Sequence, residues 1–199
     1  MSDLQQHLCD ALIRFVVEHE NQDVQRFAGA TREWGTEHCQ IEPLHLTASD
    51  TLQQAAALSS PETADFLELF ITARSALRWE QSYSAADSAV GDDMLSNYGY
   101  AELIGKQGPF ISTRVRAGIA VYGPNLTYPP HRHQAEEIYA LLAGSAVCSL
   151  GDAEPALRGP GDVLYHAPQM PHGLRTTDDP LVIAYLWQNG DLREKPTFV

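Results

Sequence analysis

Cysteine is scarce: the 199-residue chain holds only Cys9, Cys39 and Cys148, and none of them forms a C-x-x-C pair. An odd number without such a pair argues against a disulfide framework and reads as reduced thiols, with the cytoplasm as the expected location. Positive charge is also in short supply. There are 13 Lys and Arg against 26 Asp and Glu, which leaves a net charge of −13 and a pI near 4.8. Such a chain repels phosphate backbones and anionic headgroups, so nucleic-acid and membrane-surface roles are disfavoured and a small-molecule role gains. Long apolar runs are missing as well. No segment approaches the roughly 18 apolar residues of a membrane span. The opening "MSDLQQHLCDALIRF" has no basic stretch before an apolar one, so no leader is expected.

What the chain does have is an apolar fraction of 44% with 20% charged residues, ordinary for one compact soluble unit. Its two halves differ in period. Leu4, Leu8, Ala11, Leu12, Phe15 and Val16 recur at three- and four-residue steps, which predicts a helix from Leu4 to His19. Asn21 is a suitable N-cap for a second helix running toward Trp34. A weaker helical piece is expected over residues 49–60. A third helix begins at "SSPETADFLELFITARSALRWEQ", with Ser60 as cap, Pro61 in the first turn and Glu62 at the positive end of the dipole. Its buried face would be Phe66, Leu69, Phe70, Ala73 and Leu77.

Beyond about Tyr98 short β-rich runs take over: "YAELIG", "TRVRAGIAVYG", "EIYALLAG", "AVCSLG", "DVLYHAP" and "LVIAYLW", separated by glycine, proline and aspartate. Short strands at this spacing predict an all-β sandwich or barrel. The division expected is a helical region over 1–82 packing on the barrel, a polar connection over 83–97, and a barrel carrying the site over 98–199.

The stretch "YPPHRHQAEEIYALLAG" concentrates groups that are costly to bury. Residues two apart on a strand share a face, so His131 and His133 can aim into one interior. Glu137 follows after three residues, Tyr139 uses the face of Glu137, and Gly144 suits the next turn. His172 arrives later, in "GPGDVLYHAPQMPHGLRT", on what should be a neighbouring strand. Three imidazoles and a carboxylate suit one divalent transition metal, Fe(II), Mn(II), Zn(II), Ni(II) or Co(II), and open positions would make the site catalytic. Spacing assigns Glu137 to the interior and leaves Glu136 facing solvent. His7, His19, His38, His45 and His166 read as ordinary polar residues.

The pattern H-x-H-x3-E-x6-G, His131 through Gly144, resembles the first motif of the cupin superfamily, and G-D-x5-P-x3-H, Gly161 through His172, resembles the second. The resemblance implies a mainly β protein, a single double-stranded, jelly-roll-like barrel with one metal inside. Two details depart from the usual pattern: Gly123 lies further upstream of His131, and the step from Pro168 to His172 is one residue shorter. The longer match Y-P-x-H-x-H-x3-E-x-Y, Tyr128 to Tyr139, behind a helical half, is similar to the cupin-type dimethylsulfoniopropionate lyases of marine bacteria, the Q type first and the L type next.

That resemblance implies a zwitterionic substrate, a propionate bearing a β-dimethylsulfonium group, cleaved by β-elimination to dimethyl sulfide and acrylate. It assigns the base to Tyr139. Tyr128, Tyr122 and Trp187 are candidates for a cage around the sulfonium, because aromatic faces attract soft cations; plain packing is the other role open to Tyr122 and Trp187. The helical half would cap the barrel mouth or form a subunit interface, and a homodimer is left open. The alternatives are another mononuclear-metal cupin enzyme, an oxygenase or isomerase of small organic acids, and a non-catalytic cupin that binds a small ligand.

Overall fold

In the computed structural model, which describes residues 3–31, 34 and 37–199, the helical elements come first. They are α1 (Asp3–Glu18), α2 (Gln22–Gln25), α3 (Thr51–Ala55) and α4 (Pro61–Ala73), with α5 (Asp92–Asn97) just before the main sheet. The strands are β1 (Trp79–Glu80), β2 (Tyr98–Gly105), β3 (Phe110–Ile111), β4 (Val115–Tyr122), β5 (Thr127–Arg132), β6 (Glu136–Ala143), β7 (Ala146–Leu150), β8 (Ala156–Arg158), β9 (Val163–His166), β10 (His172–Thr176), β11 (Leu181–Gln188) and β12 (Thr197–Phe198).

The strands form two sheets. The larger runs β1-β2-β4-β11-β6-β9, with β3 parallel to β2, and the smaller runs β12-β5-β10-β7-β8. Between them lies one apolar cluster, to which Tyr122, Leu141, Ile183 and Tyr185 come from the large sheet and Tyr128, Cys148 and Leu174 from the small one. Alternate residues of the same large-sheet strands, such as Ile119, Ile138, Ala184 and Leu186, face the other way and share a core with Leu8, Leu12, Leu67 and Phe70 of the helices. The large sheet is therefore covered on both faces. This is why β2, β6 and β11 are buried along their whole length rather than at alternate positions. The double-stranded β-sandwich is the expected cupin architecture.

Local chemistry places the helices. Asn21 caps α2 as expected, its Oδ1 accepting from the Asp23 backbone N–H at 2.8 Å. The second helix is a single turn and gives way to turns from Arg26 onward; part of the stretch toward Trp34 lies outside the described residues. Pro61 opens α4, and Thr63 Oγ1 accepts from the Ser60 backbone N–H at 3.1 Å while donating to the Leu142 carbonyl at 2.7 Å, which ties the helix to β6. This helix is shorter than its sequence implies. It ends at Ala73, the chain tightens into a 3₁₀ turn over Arg74–Ala76, and Trp79 and Glu80 pair with Ala101 and Tyr100 at the sheet edge. Edge pairing with β2 outweighs helix propensity there. Leu67, not singled out in sequence, is buried, whereas Phe66 and Leu69 are only half-buried.

Candidate metal centre and active-site pocket

The small sheet supplies three imidazoles. His131 on β5 lies directly across from His172 on β10, and His133 follows just past the end of β5. All three are at most 2% exposed. Their Nδ1 atoms are each 2.9 Å from a backbone carbonyl two residues away: Pro129 for His131, Ala135 for His133 and Met170 for His172. With the Nδ1 hydrogen donated to a carbonyl, each ring turns its Nε2 lone pair inward, the tautomer a metal requires. One nitrogen from each ring lies within 4.8 Å of the others.

The large sheet supplies the anion. Glu137 on β6 is paired with His166 on β9 and Trp187 on β11. Its Oε2 is 3.1 Å from both His133 Nε2 and His172 Nε2 and 3.2 Å from His166 Nδ1. Yet His172 Nε2 and His166 Nδ1 are buried without a properly directed hydrogen bond. With its Nδ1–H donated to the Met170 carbonyl, the His172 ring would face a carboxylate lone pair with an Nε2 lone pair of its own, which is repulsive unless positive charge stands between them. Burial by itself would raise the Glu137 carboxyl, but the imidazoles of His133, His166 and His172 hold it well below the usual range. Burial lowers the His133 imidazole, and Glu137 more than reverses this, so its pKa is raised. His131 is pushed down to about 3 and His166 to about 4, in both cases by burial and then by His172. The set Glu137, His166 and His172 meets the same 4.8 Å limit as the first three rings. Donor types, inward lone pairs and the need for positive charge all fit a divalent transition metal.

Around this centre the structure gathers the aromatic candidates. The Tyr139 ring stands 4.6 Å from His166 and 6.1 Å from His172, on the face that Glu137 uses. Tyr128 stacks on His131 at 4.0 Å, and its hydroxyl hydrogen-bonds that of Tyr83. Tyr122 packs among Tyr98 at 5.0 Å and Tyr128 at 6.0 Å. Trp187 stacks on His133 at 4.0 Å, and its indole N–H donates to Glu137 Oε1. One pocket reaches His131, Glu137 and Tyr139 past Tyr100, Arg116 and Tyr185.

Two sequence readings are corrected. Glu136 does not face solvent: it is 3% exposed and fully satisfied. Its Oε2 accepts from Arg26 Nε and Nη2 at 3.1 and 2.7 Å and from Tyr165 at 2.7 Å, and its Oε1 accepts from Gln188 at 2.9 Å and Asn189 at 2.7 Å. Alternation placed it correctly on the opposite face; the segment carrying Arg26 covers that face. His166 is not an ordinary polar residue either, since the β6–β9 register delivers it to Glu137. Sequence reasoning also passed over Tyr83, Tyr98, Tyr100, Arg116 and Tyr185. The two-residue alternation that singled out Tyr139, extended along β2, β4 and β11, would have found the last four.

The DMSP lyase family model matches residues 19–183 of the chain. The chain is 33% identical over 156 residues to the dimethylsulfoniopropionate lyase DddQ of Ruegeria pomeroyi, a match that covers 78% of this chain and 76% of that one. The crystal structure of that DddQ superposes with a TM-score of 0.87 at 28% identity, over 100% of this chain and 98% of that one. A DddL protein of Cereibacter sphaeroides is 30% identical over 119 residues, 59% of this chain and 48% of its own. A cupin-2 domain of Rhodospirillum rubrum shares the fold at 18% identity and a TM-score of 0.50, over 62% of this chain and 76% of that one. With a cupin-type two-sheet fold, the buried histidine–glutamate cluster and a match that spans most of its length, the chain belongs to the DMSP lyase family.

Proposed function

We propose that this chain is a metal-dependent carbon–sulfur lyase that cleaves dimethylsulfoniopropionate to dimethyl sulfide and acrylate, with Tyr139 as the base. The observation that carries this reading is the pairing of a buried donor set with a phenol beside it, on the sheet face that carries Glu137. His131, His133, Glu137 and His172 would hold one divalent metal, with His166 next to Glu137. When bound, such an ion supplies positive charge that stabilises the charge developing on the substrate carboxylate and favours phenolate at Tyr139. In the metal-free chain, burial and then the Glu137 carboxylate push the Tyr139 phenol well above its usual range, so positive charge is needed before it can act as a base.

The Tyr139 oxygen takes the proton from the carbon next to the carboxylate. The electron pair left behind forms the carbon–carbon double bond, and the carbon–sulfur pair departs with dimethyl sulfide. Acrylate remains, and the proton passes from Tyr139 to solvent. Tyr128 and Tyr122 offer ring faces to the sulfonium methyls, with Trp187 at the same wall. Trp187 also orients Glu137 through its indole N–H.

The test is headspace detection of dimethyl sulfide from protein stripped of metal and reloaded with Fe(II), Mn(II), Zn(II), Ni(II) or Co(II), with and without oxygen. Metal-dependent, oxygen-independent release supports the lyase, and Tyr139→Phe should then abolish turnover with metal content unchanged. No release from folded protein that binds any of these metals would turn the reading to another cupin chemistry, and strict oxygen dependence would mean an oxygenase.

A further inference from the structure

The pocket contains a cationic group that the elimination does not use. Cross-strand register puts His166, Glu137, Trp187 and Arg116 in one row across β9, β6, β11 and β4. Arg116 therefore lies two strands from Glu137, roughly 10 Å between backbones, with the Trp187 indole between them. Its side chain is 19% exposed, and its Nε donates to Glu102 Oε2 at 2.9 Å. Glu102 Oε1 is taken up by the backbone N–H groups of Gln107 and Gly108, at 2.6 and 3.1 Å, so this carboxylate fixes the guanidinium in orientation. The guanidinium carbon lies 5.0 Å from the Tyr100 ring, 5.5 Å from Trp187 and 6.0 Å from Tyr185.

Beside it stands a hydroxyl without a partner. Tyr185 is 6% exposed, lines the same pocket, and its buried oxygen makes no hydrogen bond. A buried O–H with nothing to donate to is costly, and it marks a place where an acceptor belongs. The surroundings share this polarity. A second cavity shares Ser82, Tyr100, Arg116 and Pro196 with the first as wall residues and is also lined by Lys106, Arg193 and Lys195, with Glu102 and Glu194 as its acids. Four of the chain's 13 basic side chains thus line one cavity of a molecule with net charge −13, two of them paired with acids, Arg116 with Glu102 and Lys195 with Asp87. The balance makes this cavity less repulsive to an anion than the rest of an acidic surface.

We propose that Arg116 and the Tyr185 hydroxyl form a carboxylate-binding subsite in the entrance to the metal pocket, which receives the anionic end of the incoming substrate and of the departing acrylate. Its likeness to an oxyanion clamp lies in a charged fork and a neutral donor converging on one acceptor group. The identity of the anion rests on the lyase reading; the existence of the subsite does not.

Calorimetric titration of sodium acrylate and sodium propionate into the full-length, metal-loaded chain tests it, repeated after chelation of the metal. Binding should persist after chelation. It should weaken about 10-fold or more in Arg116→Gln and several-fold in Tyr185→Phe, and Tyr185→Phe should raise KM for dimethylsulfoniopropionate with little change in kcat. Tyr185→Phe removes only an unpartnered oxygen, so it should fold. Arg116→Gln combined with Glu102→Gln removes both buried charges and guards against misfolding of the single variant. The proposal fails if the folded chain binds neither acid, if both variants bind as the wild type does, or if chelation abolishes binding. Absence of dimethyl sulfide from loaded wild type, with Arg116-dependent acrylate binding intact, would remove the lyase reading and leave the subsite standing.

Discussion

At the scale of single residues, burial decides chemistry. Cys9 and Cys148 are buried, and loss of solvation pushes their thiols up to about 12 and about 11, whereas Cys39 is exposed. Only the thiolate reacts, so alkylation of the native chain at pH 8 should modify Cys39 alone, and all three thiols only after unfolding; mass spectrometry of the intact protein reads the difference. The same reasoning applies to Trp187, whose indole N–H is the donor to Glu137 Oε1. A hydrogen bond to a charged group is worth about 1.5–3 kcal/mol, so Trp187→Phe should lower the rate of dimethyl sulfide release about 10-fold or more while keeping the ring that stacks on His133. An unchanged rate would mean that the indole serves packing or the sulfonium instead.

At the scale of elements, the turn between β6 and β7 is the least forgiving point. Gly144 has φ +74°, and a Cβ there would sit 1.7 Å from the Pro180 carbonyl oxygen. Gly144→Ala should cost about 3 kcal/mol or more, read as a lower urea midpoint. Gly159, with open space around its Cβ position, is the control, and Gly159→Ala should stay within about 0.5 kcal/mol. The Arg26–Glu136 pair joins the helical half to β6 in the same way, its arginine half-exposed and its glutamate buried. Because Tyr165, Gln188 and Asn189 also hold Glu136, Arg26→Met should cost only about 1–2 kcal/mol, less than removal of one partner from a fully buried pair.

At the scale of the whole molecule, the buried histidine–glutamate cluster makes the metal-free fold sensitive to acid. Burial, followed by His172, holds His131 at about 3 and His166 at about 4 in the folded chain, against an ordinary value near 6.5 when unfolded. As pH falls through about 6.5, the unfolded chain takes up protons that His131 and His166 refuse in the folded chain, so their contribution is full above that pH and is lost below it; the raised His133 acts in the opposite sense, but it is one group against two. The depressed Glu137 extends the loss once its ordinary carboxylate range is reached. A chelator-treated sample should therefore show a lower urea midpoint at pH 5 than at pH 7.5. Adding a divalent metal at pH 7.5 should raise the melting temperature by mass action on the folded state, and an unchanged melting temperature would argue against metal binding at this cluster.

Much was legible before any coordinates. Alternation and spacing placed His131, His133, Glu137, Tyr139 and His172 on interior faces, and Asn21, Pro61 and Gly144 marked element ends, because each of these depends on a residue's own conformational preference or on the two-residue period of a strand. The rest was decided by packing. Whether Glu136 met water or Arg26, whether His166 reached Glu137, where α4 gave way to an edge strand, and that Arg116 and Tyr185 share a pocket all depend on which segments cover or pair with a given strand. Local sequence sets the face on which a side chain emerges. Only the register of β9 and β11 against β6 and of β4 against β11, and the helical layer over the outer face, determine what that side chain meets there.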